Sequence, residues 1–346
     1  MLPASTRSHY QRLQRLQTVV LLSVRRAWRR MEAEGNWEEQ YRDDVGPKLV
    51  ALVVAAQMAA TRESDSYIAE VLNELDFGPA TEPGVLVPDG IAGWAGDGRQ
   101  VSTLLEGAVA KAGQSYNAAR TASPESVLSP TPPDGAAEQA LADAEQWLEM
   151  VSQTILADTA RAAEAAAIAP REWVDGYVRM LNPPSCSRCA ILAGRFYRWN
   201  DGFERHPRCD CVHIPASEAD SLDLRVNPDR YFDSLSRADQ DRYFTNAGAE
   251  AIRDGADISQ VVNARRGMNT AQQNPRDWIP KGRLVREEVY GRGVFITTES
   301  VTKRGLGRKA MGSGRPVRLM PESIYEIAGG DRAEAIRLLK LYGFIL

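Results

Sequence analysis

The residues best suited to bind metal lie within thirty consecutive positions. Residues 182–211, NPPSCSRCAILAGRFYRWNDGFERHPRCDC, contain all four cysteines of the chain and one of its three histidines. Cys186 and Cys189 form a CxxC pair, and His206, Cys209 and Cys211 follow after sixteen intervening residues. Zinc prefers thiolate and imidazole ligands, and a CxxC turn supplies two thiolates without straining the backbone. The segment therefore predicts a zinc site with five candidate ligands for four positions.

Other interpretations of the cysteines remain open. Four protein ligands would make the metal structural, whereas a water in one position would make it catalytic. Without metal, the cysteines would be buried thiols or a redox pair, although a redox CxxC normally opens a helix in a βαβ unit, which the surrounding sequence does not predict. His213 is a sixth candidate ligand.

Length and composition set limits on the remaining structure. The chain has 346 residues, which is long enough for two or three domains that each bury a core. Its formal net charge is -4. Its first residues are polar, and the longest apolar run, residues 49–60, is too short to span a bilayer. We therefore expect a protein that is made in the cytoplasm and has no membrane partner. In the cytoplasm, clustered cysteines more often bind metal than form disulfides.

Helical periodicity dominates the first half of the chain. Apolar residues recur at helical spacing in three segments, and a long alanine-rich segment ends at Pro170. The predicted helices cover residues 10–31, 47–75, 101–120 and 136–169. The proline-rich stretch 121–135 predicts a linker after an N-terminal helical region of residues 1–120.

The pattern changes at Pro170. The stretches REWVDGYVRML and GRFYRWN place aromatic and β-branched residues in near alternation and predict two short strands, around which the cysteines lie. The segment of residues 170–216 is too short to bury a sufficient apolar core by itself, so zinc binding would contribute folding energy. We predict a mainly α-helical protein with a small α+β zinc-knuckle module at residues 170–216.

The last third combines helices with a basic segment. Residues 217–280 are predicted to be helical, residues 281–318 to form a flexible arm rich in Gly and Arg, and residues 319–346 to form two helices with an apolar end that packs on its own domain. The arm would contact DNA phosphates or an acidic protein surface, or be a solvated loop without a partner, and charge alone does not separate the first two. The candidate contact residues are Arg265, Arg266, Lys303, Arg304, Arg308, Lys309 and Arg315.

The cysteine segment resembles a known family. The run Pro184-Ser-Cys186-x-x-Cys189-Ala190, then Leu192-Ala-Gly194-Arg-x-Tyr197, then His206-Pro-x-Cys209-x-Cys211 is similar to the Mu F-like family of phage head morphogenesis proteins, which are minor capsid proteins of tailed bacteriophages. The resemblance covers roughly residues 170–215, and the helical sequence before it is similar to the N-terminal part of such proteins.

The resemblance implies a structural virion protein at the portal vertex or the inner capsid face. Its partners would be the portal protein and other capsid or scaffold proteins, with double-stranded DNA as a further candidate, and its role would be in head assembly or DNA packaging and delivery. The sequence contains no GxSxG, HExxH or Walker motif, so we expect no enzyme. The alternatives are a metal-dependent nuclease, with His206 and Asp210 at an open metal position, and a DNA-binding zinc-knuckle protein.

Overall fold

The protein is mainly α-helical, as the periodicity predicted, and its described strands form two small antiparallel sheets. The computed structural model describes residues 3–34, 37–76, 86–121, 136–171, 173–181, 183, 185–202, 209, 211–219, 221, 224, 226–265, 268–271, 294–297 and 318–345. The chain divides into two compact units, one of residues 1–180 and 194–225 and the other of residues 181–193 and 226–346.

The first unit is built on long helices. They are α1 (Ala4–Glu34), α2 (Trp37–Gln40), α3 (Gly46–Glu74), α4 (Val101–Thr121) and α5 (Ala136–Ile168), with a π-helical turn at Tyr41–Val45 and a 3₁₀ turn at Pro88–Gly90. Four of these helices coincide with the predicted ones to within a few residues, apart from the start of α1. That start lies six residues before the predicted Tyr10, because the Glu74 side chain accepts hydrogen bonds from the N–H groups of Ala4 (2.7 Å) and Ser5 (2.9 Å). A distant residue thus caps the helix, which local sequence does not reveal.

The core of this unit lies between the apolar faces of the long helices. Val24 and Trp28 of α1, Val53 of α3, and Leu148 and Leu156 of α5 are all at most 1 % exposed and belong to one cluster. Burying an aliphatic or aromatic side chain of this size contributes about 1.5–3 kcal/mol to the stability of the fold. The apolar residues that recur at helical spacing therefore pack together as the core of a helical bundle.

The helical stretch Tyr41–Glu74 is the one candidate membrane span among the described residues. It is long and apolar enough by length and composition alone, and 44 % of its most apolar window is buried inside the protein. Leu49, Val53 and Ile68 on this stretch lie in the core of the first unit. The central helix of a packed bundle passes the same test, so the stretch carries no membrane assignment.

A three-stranded sheet completes the first unit. Its strands are β1 (Gly176–Arg179), β2 (Phe196–Arg198) and β3 (His213–Ala216), in the order β2-β1-β3, and both pairings are antiparallel. Strands β1 and β2 lie inside the two stretches predicted to be strands. Strand β3 was not predicted. Its Pro215 cannot donate to a ladder and is tolerated here because β3 is an edge strand of the described sheet.

The second unit combines short helices with another antiparallel sheet. Its elements are α6 (Ser187–Leu192), α7 (Pro228–Ser234), α8 (Arg237–Phe244), α9 (Asn246–Arg253), α10 (Ile258–Ala264), β4 (Met268–Ala271), β5 (Val294–Thr297), β6 (Arg318–Leu319), α11 (Pro321–Ala328) and α12 (Arg332–Leu341). Helix α11 ends at Gly329 in the left-handed region (φ 58°), and Asp331 caps α12 by accepting from the N–H of Ala333, as expected. Phe344 is fully buried in this unit's core, so the apolar end of the chain packs on its own domain, also as expected.

The prediction of a flexible arm over residues 281–318 is wrong for its described part. Val294–Thr297 form the central strand of the sheet β4-β5-β6, and Val294, Ile296 and Thr297 are buried. Arg318 begins β6 and is 1 % exposed. The short β-branched and aromatic run VFIT was hidden because the prediction averaged composition over the whole basic segment. Residues 281–293 and 298–317 lie outside the described residues.

Candidate metal centre

The CxxC pair lies at the start of α6. Cys186 has an extended backbone (φ -65°, ψ 161°) and occupies the N-cap position, where its sulfur accepts a hydrogen bond from the N–H of Cys189 at 3.5 Å. The sequence predicted a tight turn here, and the structure shows that the turn continues as a helix. An N–H group directed at sulfur favours the thiolate, which is the form that binds metal.

Three of the four cysteines come together. The sulfur atoms of Cys189, Cys209 and Cys211 lie within 4.8 Å of one another, and each residue is at most 3 % exposed. In a tetrahedral zinc site with bonds of about 2.3 Å, the ligand sulfurs are ~3.8 Å apart. A group of three buried cysteines this close together could hold a metal ion.

The remaining predicted ligands are placed differently. Cys186 is not part of the group of three, although it belongs to the same CxxC turn as Cys189. His206 and Asp210 lie outside the described residues. His213, the sixth candidate, stacks on Tyr177 with ring centroids 3.8 Å apart, and its Nδ1 lies 3.4 Å from a carboxylate oxygen of Glu164. These contacts engage His213 with the first unit's helices and sheet.

A buried arginine of α5 holds the backbone of the segment that carries two of the cysteines. Arg161 is 3 % exposed, and its Nη1 donates to the carbonyl oxygens of Cys209 (2.8 Å) and Cys211 (3.1 Å). Its Nη2 donates to Asp158 one turn earlier, at 2.5 Å. Because one guanidinium donates to both carbonyl oxygens, it holds these two carbonyl groups close to each other.

A second buried arginine meets a sulfur directly. Arg179 of β1 is 1 % exposed, and its Nη2 donates to Sγ of Cys209 at 3.3 Å. A charged donor at this distance stabilises a thiolate more than a neutral thiol. The first unit therefore presents one guanidinium to the backbone of this segment and another to its sulfur.

The strand that follows Cys211 is fixed by the helical bundle. The N–H of His213 donates to Oε2 of Glu164 at 2.8 Å, and the Tyr67 hydroxyl donates to the His213 carbonyl oxygen, also at 2.8 Å. Both Glu164 and Tyr67 are fully buried. Helices α3 and α5 thus position the first residue of β3, and Cys211 lies two residues before it.

Of the seven predicted basic contact residues, the structure describes Arg265. Arg265 donates to Oγ1 of Thr245 at 2.6 Å, forms an ion pair with Glu322, and is about one quarter exposed. Burial lowers the pKa of Arg265. Its charge thus has a partner within the second unit. The others, Arg266, Lys303, Arg304, Arg308, Lys309 and Arg315, lie outside the described residues.

Sequence reasoning missed the residues that support the cysteines. Arg161 and Glu164 lie in an alanine-rich helix, about fifty residues before the groups they contact, so no local motif marks them. Arg179 did carry a signal, since it is a charged residue in the apolar strand sequence YVRML. Charged side chains are almost never fully buried without a partner.

Comparison with known proteins adds no relative to this description. No known protein family, curated protein or solved structure matches the chain. The candidate metal centre is therefore defined by the residues and distances of this chain alone.

Proposed function

We propose that the chain is a structural protein whose cysteine module is stabilised by zinc, and that it serves as a minor capsid protein in the head of a tailed phage. The observation that carries the metal proposal is the group of three buried sulfurs within 4.8 Å of one another. Cys189, Cys209 and Cys211 would hold the ion, with Cys186 or His206 as the fourth ligand. Bound there, zinc would contribute folding energy to the cysteine module.

Zinc is the metal that this set of ligands favours. Cysteine thiolates select soft or borderline metals, and a tetrahedral arrangement of sulfurs with one further sulfur or nitrogen is the usual structural zinc site. Carboxylate-preferring ions such as magnesium and calcium find no oxygen ligand among Cys189, Cys209 and Cys211.

A structural site is favoured over a nuclease site because the cysteines are inaccessible. A catalytic metal needs an open position that substrate and water can reach. Cys189, Cys209 and Cys211 are each at most 3 % exposed, and the carbonyl oxygens of Cys209 and Cys211 accept hydrogen bonds from Arg161. Incubating the protein with duplex DNA and magnesium, manganese or zinc tests this choice, since a structural site leaves the DNA intact.

The phage role depends on the resemblance of CxxC and HPxCxC to the Mu F-like family. The long helical region before the module is consistent with such proteins, which are associated with the portal or the inner capsid face. Co-purification with a co-expressed phage portal protein is the direct test. Failure to bind portal and scaffold proteins, in a chain that does bind zinc, would leave the metal proposal standing and reject the phage role.

The metal proposal is tested by elemental analysis combined with thiol titration in native buffer. We expect about one zinc per chain, as one tetrahedral site predicts, and thiols that react only after chelation. Zinc-free protein with four freely reactive thiols would contradict the proposal. A Cys209→Ser variant, purified in the same way, should lack the metal.

The fourth ligand can be assigned with one conservative variant. Cys186→Ser keeps α6, because serine is itself a preferred N-cap residue. Loss of zinc from this variant would therefore identify Cys186 as a ligand and not only as a helix cap. Retention of zinc, together with its loss from His206→Ala, would assign the position to His206.

A further inference from the structure

Two buried guanidinium groups of the first unit contact the segment that carries Cys209 and Cys211, and they do so in different ways. Arg179 donates to the sulfur of Cys209 at 3.3 Å. Arg161 donates to the main-chain carbonyls of Cys209 and Cys211 and contacts Asp158 as its carboxylate partner. One contact is to the atom that would bind metal, and the other is to the backbone that carries it.

Charge balance explains why a cation would stand beside the sulfur. A zinc ion with three thiolates carries a net formal charge of minus one, and with four thiolates minus two. Moving such a charge out of water is costly unless an opposite charge lies close by. Cys209 is 2 % exposed and Arg179 is 1 % exposed, so water can solvate neither group. The Arg179 guanidinium lies where the compensating charge is needed.

We propose that Arg179 is the internal counter-ion of the metal–thiolate centre and that Arg161 is the positioning residue that holds the backbone of its Cys209–Cys211 segment. This inference rests on the proposed metal site and extends it to two residues outside the ligand set. Outer-shell groups of metal sites act in these two ways, by tuning the charge of a ligand and by fixing its orientation.

The two roles predict different responses to lysine. Lysine in place of Arg179 keeps a positive charge near the sulfur, so Arg179→Lys should retain more zinc affinity than Arg179→Met. Lysine in place of Arg161 cannot span two carbonyls and a carboxylate as the planar guanidinium does. Arg161→Lys and Arg161→Met should therefore lose affinity to a similar extent.

The experiment measures zinc affinity of the full-length protein by competition with a chromophoric chelator. For Arg179→Met we expect an affinity about 10- to 100-fold lower than that of the wild type, as for other outer-shell substitutions. Cobalt substitution gives a second readout, because loss of the Arg179 contact should shift the thiolate-to-cobalt absorption band. Arg179→Gln, which keeps hydrogen-bond donors without charge, replaces Arg179→Met if the latter does not fold.

A matched control comes from the second unit. Arg318 is also 1 % exposed, but its contacts are with Gln260, Tyr342 and the ring of Phe344. Arg318→Met removes an equally buried guanidinium and should leave zinc affinity unchanged. This comparison separates a counter-ion of the metal centre from a general effect of removing buried arginine.

Stability measurements separate a counter-ion from a residue that only fills space. Loss of the counter-ion should lower the melting temperature of the zinc-loaded protein more than that of the chelated protein, whereas a packing defect should lower both equally. Equal losses, or wild-type affinity in Arg179→Met with an unchanged cobalt spectrum, would overturn the inference while the metal proposal stood. A wild-type protein that binds no zinc would overturn both.

Discussion

The Nε2 atom of His9 in α1 lies 2.9 Å from Oε1 of Glu164 in α5, 155 residues further along the chain. The other ring nitrogen of His9 lies 3.1 Å from Oε1 of Glu63 in α3, and the ring stacks on Tyr67 at 4.1 Å. The second oxygen of Glu164 accepts the N–H of His213 in β3. One fully buried carboxylate therefore joins two helices and a strand, and α3 is attached through its contacts with His9.

This arrangement predicts a pH-dependent stability. Burial by itself lowers the pKa of His9, but hydrogen bonds and attraction from Glu164 and Glu63 outweigh it and raise the pKa above the ordinary value of 6.5. Stability gained from a raised histidine pKa is fully present below pH 6.5 and is lost as the pH rises through the folded-state value. Urea unfolding in zinc-containing buffer from pH 6 upward should show this fall.

His9→Gln supplies the control for the pH experiment. Glutamine can hydrogen-bond to one of the two carboxylates but does not titrate, so the part of the slope above pH 6.5 that His9 contributes should disappear. Arg12, which also pairs with Glu63, stays charged throughout the range and does not contribute to the slope. An identical slope in the variant would assign the pH dependence to another group.

Removing the shared carboxylate should be far more costly than removing an exposed one from the same helix. Glu164→Ala leaves His9 without its closer partner and the buried N–H of His213 without an acceptor. Breaking a buried ionic contact of this kind costs about 3–5 kcal/mol. Glu138→Ala, at an exposed position of α5, should stay within about 0.5 kcal/mol of the wild type. Denaturant unfolding of both variants measures the difference, and equal losses would contradict the role assigned to Glu164.

Two glycine-to-alanine substitutions should have opposite signs. A Cβ atom on Gly176 would stand 1.9 Å from the carbonyl oxygen of Tyr197 and 2.9 Å from Cα of Arg198, both of them backbone atoms of β2. Gly176→Ala should therefore push β2 away and lower stability by about 1–3 kcal/mol or more. Gly107 is exposed on α4, and an alanine methyl group there would meet no atom within 4 Å, so Gly107→Ala should gain about 0.5–1 kcal/mol. Thermal unfolding resolves both changes, and a stabilising Gly176→Ala would refute the described β1–β2 pairing.

Removal of the metal should lower the melting temperature of the wild-type protein. Ligand binding to the folded state alone stabilises it by about 2.7 kcal/mol when free zinc is 100 times the dissociation constant. Calorimetry with and without a chelator should reveal this stabilisation as a shift of several degrees. Cys209→Ser should melt at the same temperature in both buffers, and a chelator effect of equal size in this variant would place the metal elsewhere.

Local sequence patterns were enough to predict the long helices and the cysteines that cluster. The helical spacing of Val20, Val24 and Trp28 determines which face of α1 is buried, and this is a property of adjacent turns. The spacing of CxxC and HPxCxC likewise predicted a set of five ligands that contains all three clustered cysteines. Asp331 was recognisable as a helix cap because capping depends only on the residues that follow it.

Features that depend on distant partners were not predictable. Strand β3 contains Pro215 and is recognisable as a strand only once β1 is beside it. The roles of Arg161, Arg179 and Glu164 depend on contacts across 30 to 155 residues, which no periodicity encodes. Strand β5 was missed for a different reason, since four β-forming residues were averaged into a long basic segment.

The sequence separation of 155 residues from His9 to Glu164 also bears on biosynthesis. At about 5–20 residues per second, a ribosome needs roughly 8 to 30 s to extend the chain from one partner to the other. During that interval α1 has no α5 to pack against, and its apolar side chains Val20, Val24 and Trp28 lack part of the core that later covers them. Until α5 and then β3 emerge, the nascent N-terminal helix therefore exposes apolar surface that the finished protein buries.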